Sequence, residues 1–365
     1  MDPRVRNLAK VLVNYSVKAQ KGEIFPVKGP AAAEPLLLAC YEELLRSGAF
    51  PIMQMSPNQA SEVYFKHAQQ HHFETITPVQ KAEAEHMSGL ISIRADINTR
   101  SLSAVDPQKM TAISKASQEI RKQIMVKRWV GTLFPTAAYA QDAEMSLSDF
   151  EDFVYAATFA DTEDPIAEWK KVSAMQDRLI KQLEGADEVH ITGPGTDLKF
   201  SIKDRTFINS DGVHNMPSGE IFTGPVETSA EGYITFDYPV CTAGREIDGV
   251  RLVFKGGEVV EASATKNEDY LLAVLDQDAG ARRLGELGIG TNMMIQRFIK
   301  NILFDEKIGG SIHLALGNSI PGTGGTNVSA LHWDLIKDLR KGGAMYVNGK
   351  LFQKDGKFQE DFTAL

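Results

Sequence analysis

The sequence predicts an α/β fold with α+β character, divided into an N-terminal α/β domain over residues 1–185 and a C-terminal β-rich domain over residues 186–365. Three observations carry that reading. A chain of 365 residues is long enough for about two domains with cores of their own. Its first half alternates strand-like and helix-like segments, the order that builds a layered α/β domain. Near residue 186 the texture changes to short alternating runs separated by glycine turns, which read as hairpins.

The elements follow in order. Leu8, Val11, Leu12 and Tyr15 fall on one helical stripe. Glu23-Ile24-Phe25-Pro26-Val27 reads as a strand. A stronger helical stripe, Leu36, Leu37, Leu38, Tyr41, Leu44 and Leu45, opens after Pro35, and Phe50-Pro51-Ile52-Met53-Gln54-Met55 follows Gly48 as a second strand. A further helix spans about 165–183, with Trp169, Val172, Met175, Leu179 and Leu183 at three- and four-residue spacings. Beyond it, Val189-His190-Ile191-Thr192 and Leu198-Lys199-Phe200-Ser201-Ile202 flank the turn Gly193-Pro194-Gly195-Thr196-Asp197. Residues 233–238, 250–254 and 258–261 add strands, residues 335–340 read as a helical run, and Asn348-Gly349 marks a last hairpin over 345–352.

Composition narrows the function. With 39 basic and 48 acidic residues the formal charge is −9, which opposes nucleic acid and anionic membrane surfaces as partners. The longest apolar stretch, residues 129–140, is interrupted by Gly131, Thr132, Pro135 and Thr136 and is too short to span a bilayer. No apolar leader follows Met1, and two distant cysteines, Cys40 and Cys241, suit buried or incidental thiols in a reducing compartment, so a cytoplasmic location is expected. Gly193-x-Gly195 and Gly288-x-Gly290 lack the rest of a dinucleotide fingerprint, and the loop Pro321-Gly322-Thr323-Gly324-Gly325-Thr326 lacks the ending of a phosphate cradle. His67, His71 and His72 fit a solvated helix face.

The chemistry concentrates between Gly212 and Asp334, where carboxylates and histidines stand beside glycine and proline. Glu220 enters a strand after a tight turn, and Glu286 lies between glycines in an apolar setting where an unpaired carboxylate is costly. His313 is the third residue of the strand-like Ser311-Ile312-His313-Leu314-Ala315-Leu316. In His332-Trp333-Asp334 the outer two residues share a face if the chain is extended. Two imidazoles and three carboxylates suit zinc, cobalt or manganese, and three carboxylates, two divalent ions and a bridging hydroxide sum to zero charge. The alternative is that each residue is satisfied separately: Glu220 by a backbone amide, Glu286 by Arg282 or Arg283, His313 as a core histidine.

Four segments carry a resemblance: Asn215-Met216-Pro217-Ser218-Gly219-Glu220, the run Leu284-Gly285-Glu286-Leu287-Gly288-Ile289-Gly290-Thr291-Asn292, Phe304-Asp305-Glu306-Lys307-Ile308-Gly309-Gly310-Ser311-Ile312-His313, and His332-Trp333-Asp334. In this order they resemble the thermophilic-type metallo-aminopeptidases, the family of aminopeptidase T, aminopeptidase S and PepS. The resemblance implies a dimeric two-domain enzyme that removes N-terminal residues from short peptides with broad preference. It also implies a dinuclear centre of two divalent ions (Zn, Co, Mn or Mg) held by Glu220, Glu286, His313, His332 and Asp334. Glu286 is the expected proton carrier. One position departs: Ile320 stands where the family places a tyrosine thought to hydrogen-bond the tetrahedral intermediate. Loss of such a donor typically costs about 10²–10³ in rate, and a catalytically weak metal- or peptide-binding relative, or a dinuclear hydrolase of another small amide or ester, is the alternative reading.

Overall fold

The computed structural model describes residues 2–242 and 245–359, and the chain divides into two compact units. One comprises the chain up to Trp169 together with Gly212–Pro217; the other comprises Lys170–Asp211 and the chain from Ser218 onward. The expectation of a division at 185/186 places the helix Pro165–Leu183 with the first half, whereas most of that helix falls in the second unit.

The first unit is built on a five-stranded parallel sheet in the order Phe50–Ser56, Ile24–Pro30, Gly89–Arg94, Arg128–Leu133, Asn215–Met216. Its helices follow from local chemistry. Glu34–Ser47 has proline in its first turn and ends at Gly48, whose φ of 81° closes the last carbonyls without a Cβ clash, and its Leu36, Leu37, Cys40 and Leu44 are buried. Pro3–Lys10 is capped by Asp2 and continues as a π-helical turn over Val11–Ser16. Cys40 is a free, buried thiol; the side chain of Cys241 lies outside the described residues. His67, His71 and His72 are exposed on short helices.

The second unit holds two large antiparallel sheets around one apolar core. The eight-stranded sheet runs Glu258–Ser263, Arg251–Lys255, Glu231–Thr235, Thr196–Ser201, Glu188–Gly193, Ala344–Val347, Lys350–Lys354, Lys357–Phe358, and contains both expected hairpins. The five-stranded sheet runs His332–Asp338, Ser311–Gly317, Leu284–Gly290, Glu220–Thr223, Ile208–Ser210. Residues 335–340 therefore correct the expectation of a helix. Trp333 and Leu335 point to the core in strand alternation, and Lys337, which reads as a helix surface residue, is buried with its Nζ donating to the carbonyl of Pro194 (3.0 Å) and to Asp237. Among the described residues no helix is long and apolar enough to cross a membrane.

Candidate metal centre

One face of the five-stranded sheet is apolar: Ile221, Leu287, Ile289, Ile312, Leu314, Leu316, Trp333 and Leu335 all join the core of the second unit. Strand alternation then sends their neighbours to the opposite face. Register puts Glu220 opposite Gly290, His313 opposite Gly288, Glu286 opposite Ala315, Ala315 opposite Asp334 and Gly317 opposite His332. All five expected residues thus share a face, and the positions between them are glycine or alanine, which leaves room among the polar groups.

Two backbone details make this possible. The register slips between Leu284 and Glu286, so Leu284 and Leu287 both reach the core although three residues apart, and the extra residue turns Glu286 to the polar face. At Gly288, a Cβ would lie 1.9 Å from Cε1 of His313; only glycine lets that imidazole lie over the strand.

The side chains form two trios with Glu286 in common: Glu220, Glu286 and His313, and Glu286, His332 and Asp334, each with donor atoms within 4.8 Å of one another. His313 Nε2 is 3.5 Å from Glu220 Oε2 and 3.6 Å from Glu286 Oε1, while His332 Nε2 is 3.1 Å from Glu286 Oε2 and 3.5 Å from Asp334 Oδ1. Each imidazole has its other nitrogen against a carbonyl, His313 Nδ1 at 3.0 Å from Glu306 O and His332 Nδ1 at 2.9 Å from Asn318 O. A proton on Nδ1 leaves Nε2 as the free lone pair, the arrangement that metal-binding histidines use.

Electrostatics point the same way. Burial alone would lower the histidine pKa values, yet contact with Glu286 and the charges of Glu220 and Asp334 push His313 up to about 10, and contacts with Asp334 and Glu286 push His332 up to about 11. Burial would raise Glu286 and Asp334, but the same histidines hold both below the usual carboxylate range. Glu220 Oε2 and Asp334 Oδ1 are buried oxygens that accept no hydrogen bond in the structure. Such oxygens are costly unless something positive meets them, so the donor set fits divalent cations. Arg282 and Arg283, the alternative partners for Glu286, pair instead with Asp276 and Glu258.

Sequence reasoning missed two residues as parts of the site. Lys307 is fully buried, with Nζ 3.5 Å from Glu220 Oε1 and in contact with the carboxylate of Glu306. Burial pushes Glu306 up to about 7 against the pull of Lys307. The signal was present as three charged residues, Asp305-Glu306-Lys307, directly before Ile308-Gly309-Gly310 and a buried strand. A cavity of about 200 Å³ adjoins His332 and Asp334, with Val240, Phe298, Ile302 and Ile336 among its walls. The carbonyl of Ile320 accepts from Thr323 Oγ1 at 2.7 Å, within the loop that leads from Asn318 toward His332.

The thermophilic metalloprotease family (M29) matches residues 1–358 of the chain. The chain belongs to this metalloprotease family. It is 28% identical over 346 residues to aminopeptidase 2 of Geobacillus stearothermophilus, covering 86% of this chain and 83% of that one. It is 27% identical over 344 residues to aminopeptidase PepS of Streptococcus thermophilus, covering 85% and 82%. Among solved structures it resembles wild-type AmpT from Thermus thermophilus, with a TM-score of 0.82 and 21% identity over 97% of this chain and 98% of the other. It also resembles a 2,5-dihydroxypyridine dioxygenase from Pseudomonas putida KT2440, with a TM-score of 0.63 and 14% identity over 98% of both chains. The fold is thus shared by proteins named for different chemistries, and the M29 match is what identifies this metalloprotease.

Proposed function

We propose that this M29 protein is a dinuclear metal-dependent aminopeptidase that hydrolyses the N-terminal residue from short peptides with broad preference. The observation that carries the reading is the pair of trios sharing Glu286, set on one sheet face with two buried oxygens left without donors. Glu220, Glu286 and His313 would hold one divalent ion, and Glu286, His332 and Asp334 the other; zinc, cobalt, manganese and magnesium all suit this donor set. When bound, the ions supply Lewis acidity and a nucleophilic water at neutral pH.

The rest is the work of the chain's own residues. Glu306 O and Asn318 O fix the imidazole orientations. Glu286, between the two histidines, is the proposed proton carrier toward the leaving amine. A free α-amine finds carboxylates at this face, which favours chain ends, and the cavity beside His332 and Asp334 would take the side chain of the N-terminal residue against Val240, Phe298 and Ile336. Ile320 stands where the family resemblance places a tyrosine and offers no hydroxyl, so turnover is expected to be slow. Following the family resemblance, the enzyme is further proposed to be a cytoplasmic homodimer. The test is amino-acid release from free and N-acetylated dipeptides with Zn²⁺, Co²⁺ or Mn²⁺ added: free peptides should be cleaved and acetylated ones should be inert. Equal turnover of both would overturn the aminopeptidase reading.

A further inference from the structure

A buried ammonium is an unexpected neighbour for a site that collects cations. Lys307 is fully buried, and its Nζ lies 3.5 Å from Oε1 of Glu220, the carboxylate whose other oxygen, Oε2, accepts no hydrogen bond and lies 3.5 Å from His313 Nε2. The two oxygens of Glu220 are therefore not equivalent: one faces a fixed positive charge, the other faces the imidazole. The residue before the lysine acts on the same trio, since Glu306 O holds His313 Nδ1 at 3.0 Å while the Glu306 carboxylate contacts the lysine. The Lys307 backbone is itself anchored, its carbonyl accepting from Asn292 N at 3.2 Å. The Glu306 carboxylate in contact with the ammonium offsets its charge to the extent that it is ionised.

Building on the dinuclear reading above, we infer that Lys307 is a positioning residue that reserves Oε1 of Glu220, so that Glu220 offers the ion beside His313 a single oxygen. A carboxylate free to turn could give both oxygens to one cation and fill a coordination position that hydrolysis needs open for water. The ammonium prevents this and also weakens binding of that ion by repulsion. Lys307 thus trades affinity for an open position.

This makes the sign of a mutation diagnostic. Groups that orient metal ligands normally cost about 10–100-fold in metal affinity when removed. Lys307→Met is expected to do the reverse at one of the two sites, tightening it by about tenfold in a chelator-competition titration with Zn²⁺. At the same time kcat on a free dipeptide should fall by about tenfold or more with KM near the parent value, the pattern of an interaction lost in the transition state. Lys307→Arg, which keeps a positive charge against Oε1, should recover most of kcat and the parent affinity. Because Lys307→Met leaves Glu306 buried without a cation, the double variant Glu306→Gln/Lys307→Met is measured beside it and should show the same tightening. A parent protein that binds fewer than two ions overturns the dinuclear reading and this inference with it. A parent that binds two, with neither Met variant binding tighter, overturns the inference alone. So does failure of both Met variants to fold while Lys307→Arg folds, which would make Lys307 an ion pair of the core.

Discussion

At the level of single residues, the site depends as much on side chains that are missing as on those present. His313 lies over Gly288, and a Cβ there would meet the imidazole at 1.9 Å. Gly288→Ala must therefore displace the His313 imidazole from its place over the strand. The expected result is a loss of about 1–3 kcal/mol from overpacking, together with weakened uptake of one divalent ion, read by thermal melting and by metal analysis after dialysis. Gly131→Ala is the control, because a Cβ at that position meets nothing within 4 Å; it should leave the melting temperature and metal content unchanged. A parent-like metal content in Gly288→Ala would remove His313 from the ligand set. Glycine spacing was visible in the sequence, but its reason was not. In the sequence Gly288-x-Gly290 lacks the rest of a dinucleotide fingerprint and shows no other role; the partner strand supplies one, with the imidazole above Gly288 and the register slip beside Gly285.

Elements bring the donors together by alternation. His332 and Asp334 were legible as a same-face pair because two-residue spacing is local to one strand. The relation of Glu220 to Glu286 and His313 was not legible, since it depends on antiparallel register across three strands from distant parts of the chain. Helix periodicity served well for Pro165–Leu183, where one apolar stripe repeats over nineteen residues, and failed at 335–340, where burial of Lys337 breaks the usual link between charge and exposure. Gln176 on that helix is fully buried and donates to Ser210 O at 3.2 Å and to Thr291 Oγ1 at 2.8 Å, one at the end of Ile208–Ser210 and the other just past Leu284–Gly290. These are the strands on either side of Glu220. Gln176→Leu takes the donor from Thr291 Oγ1, while Ser210 O keeps Gly219 N and Ser218 Oγ, and should cost about 1–3 kcal/mol. It should also lower metal affinity without touching a ligand, which denaturant melts and a metal titration of the same sample would measure. Unchanged metal affinity in a destabilised Gln176→Leu protein would confine the helix to a packing role.

For the molecule as a whole, the raised histidine pKa values set a pH dependence. In the metal-free protein His313 and His332 hold their protons to about 10 and 11, against 6.5 in the unfolded chain, because carboxylates surround them. Their contribution to stability is complete below pH 6.5, declines as the unfolded chain gives up its protons, and is exhausted once the pH has passed 10–11. Chelator-treated protein should therefore lose melting temperature steadily from neutral to alkaline pH. Metal-loaded protein, whose imidazoles are already neutral, should not show that decline, and loading at pH 7 should release protons detectable as a buffer-dependent heat. The same decline in both forms would argue against these histidines as ligands. The path of the chain carries a consequence of another kind. The edge of the first unit's sheet is closed by Asn215–Met216, with Gly131 N donating to His214 O at 2.7 Å, Thr132 Oγ1 to Met216 O at 2.7 Å and Ser16 Oγ to Gly212 O at 2.6 Å. During translation those acceptors leave the ribosome only after some forty residues of the second unit have been made. The nascent first unit must wait with Arg128–Leu133 as an open edge, the kind of edge on which chains aggregate, and a gene cut at residue 185 would make that waiting state permanent.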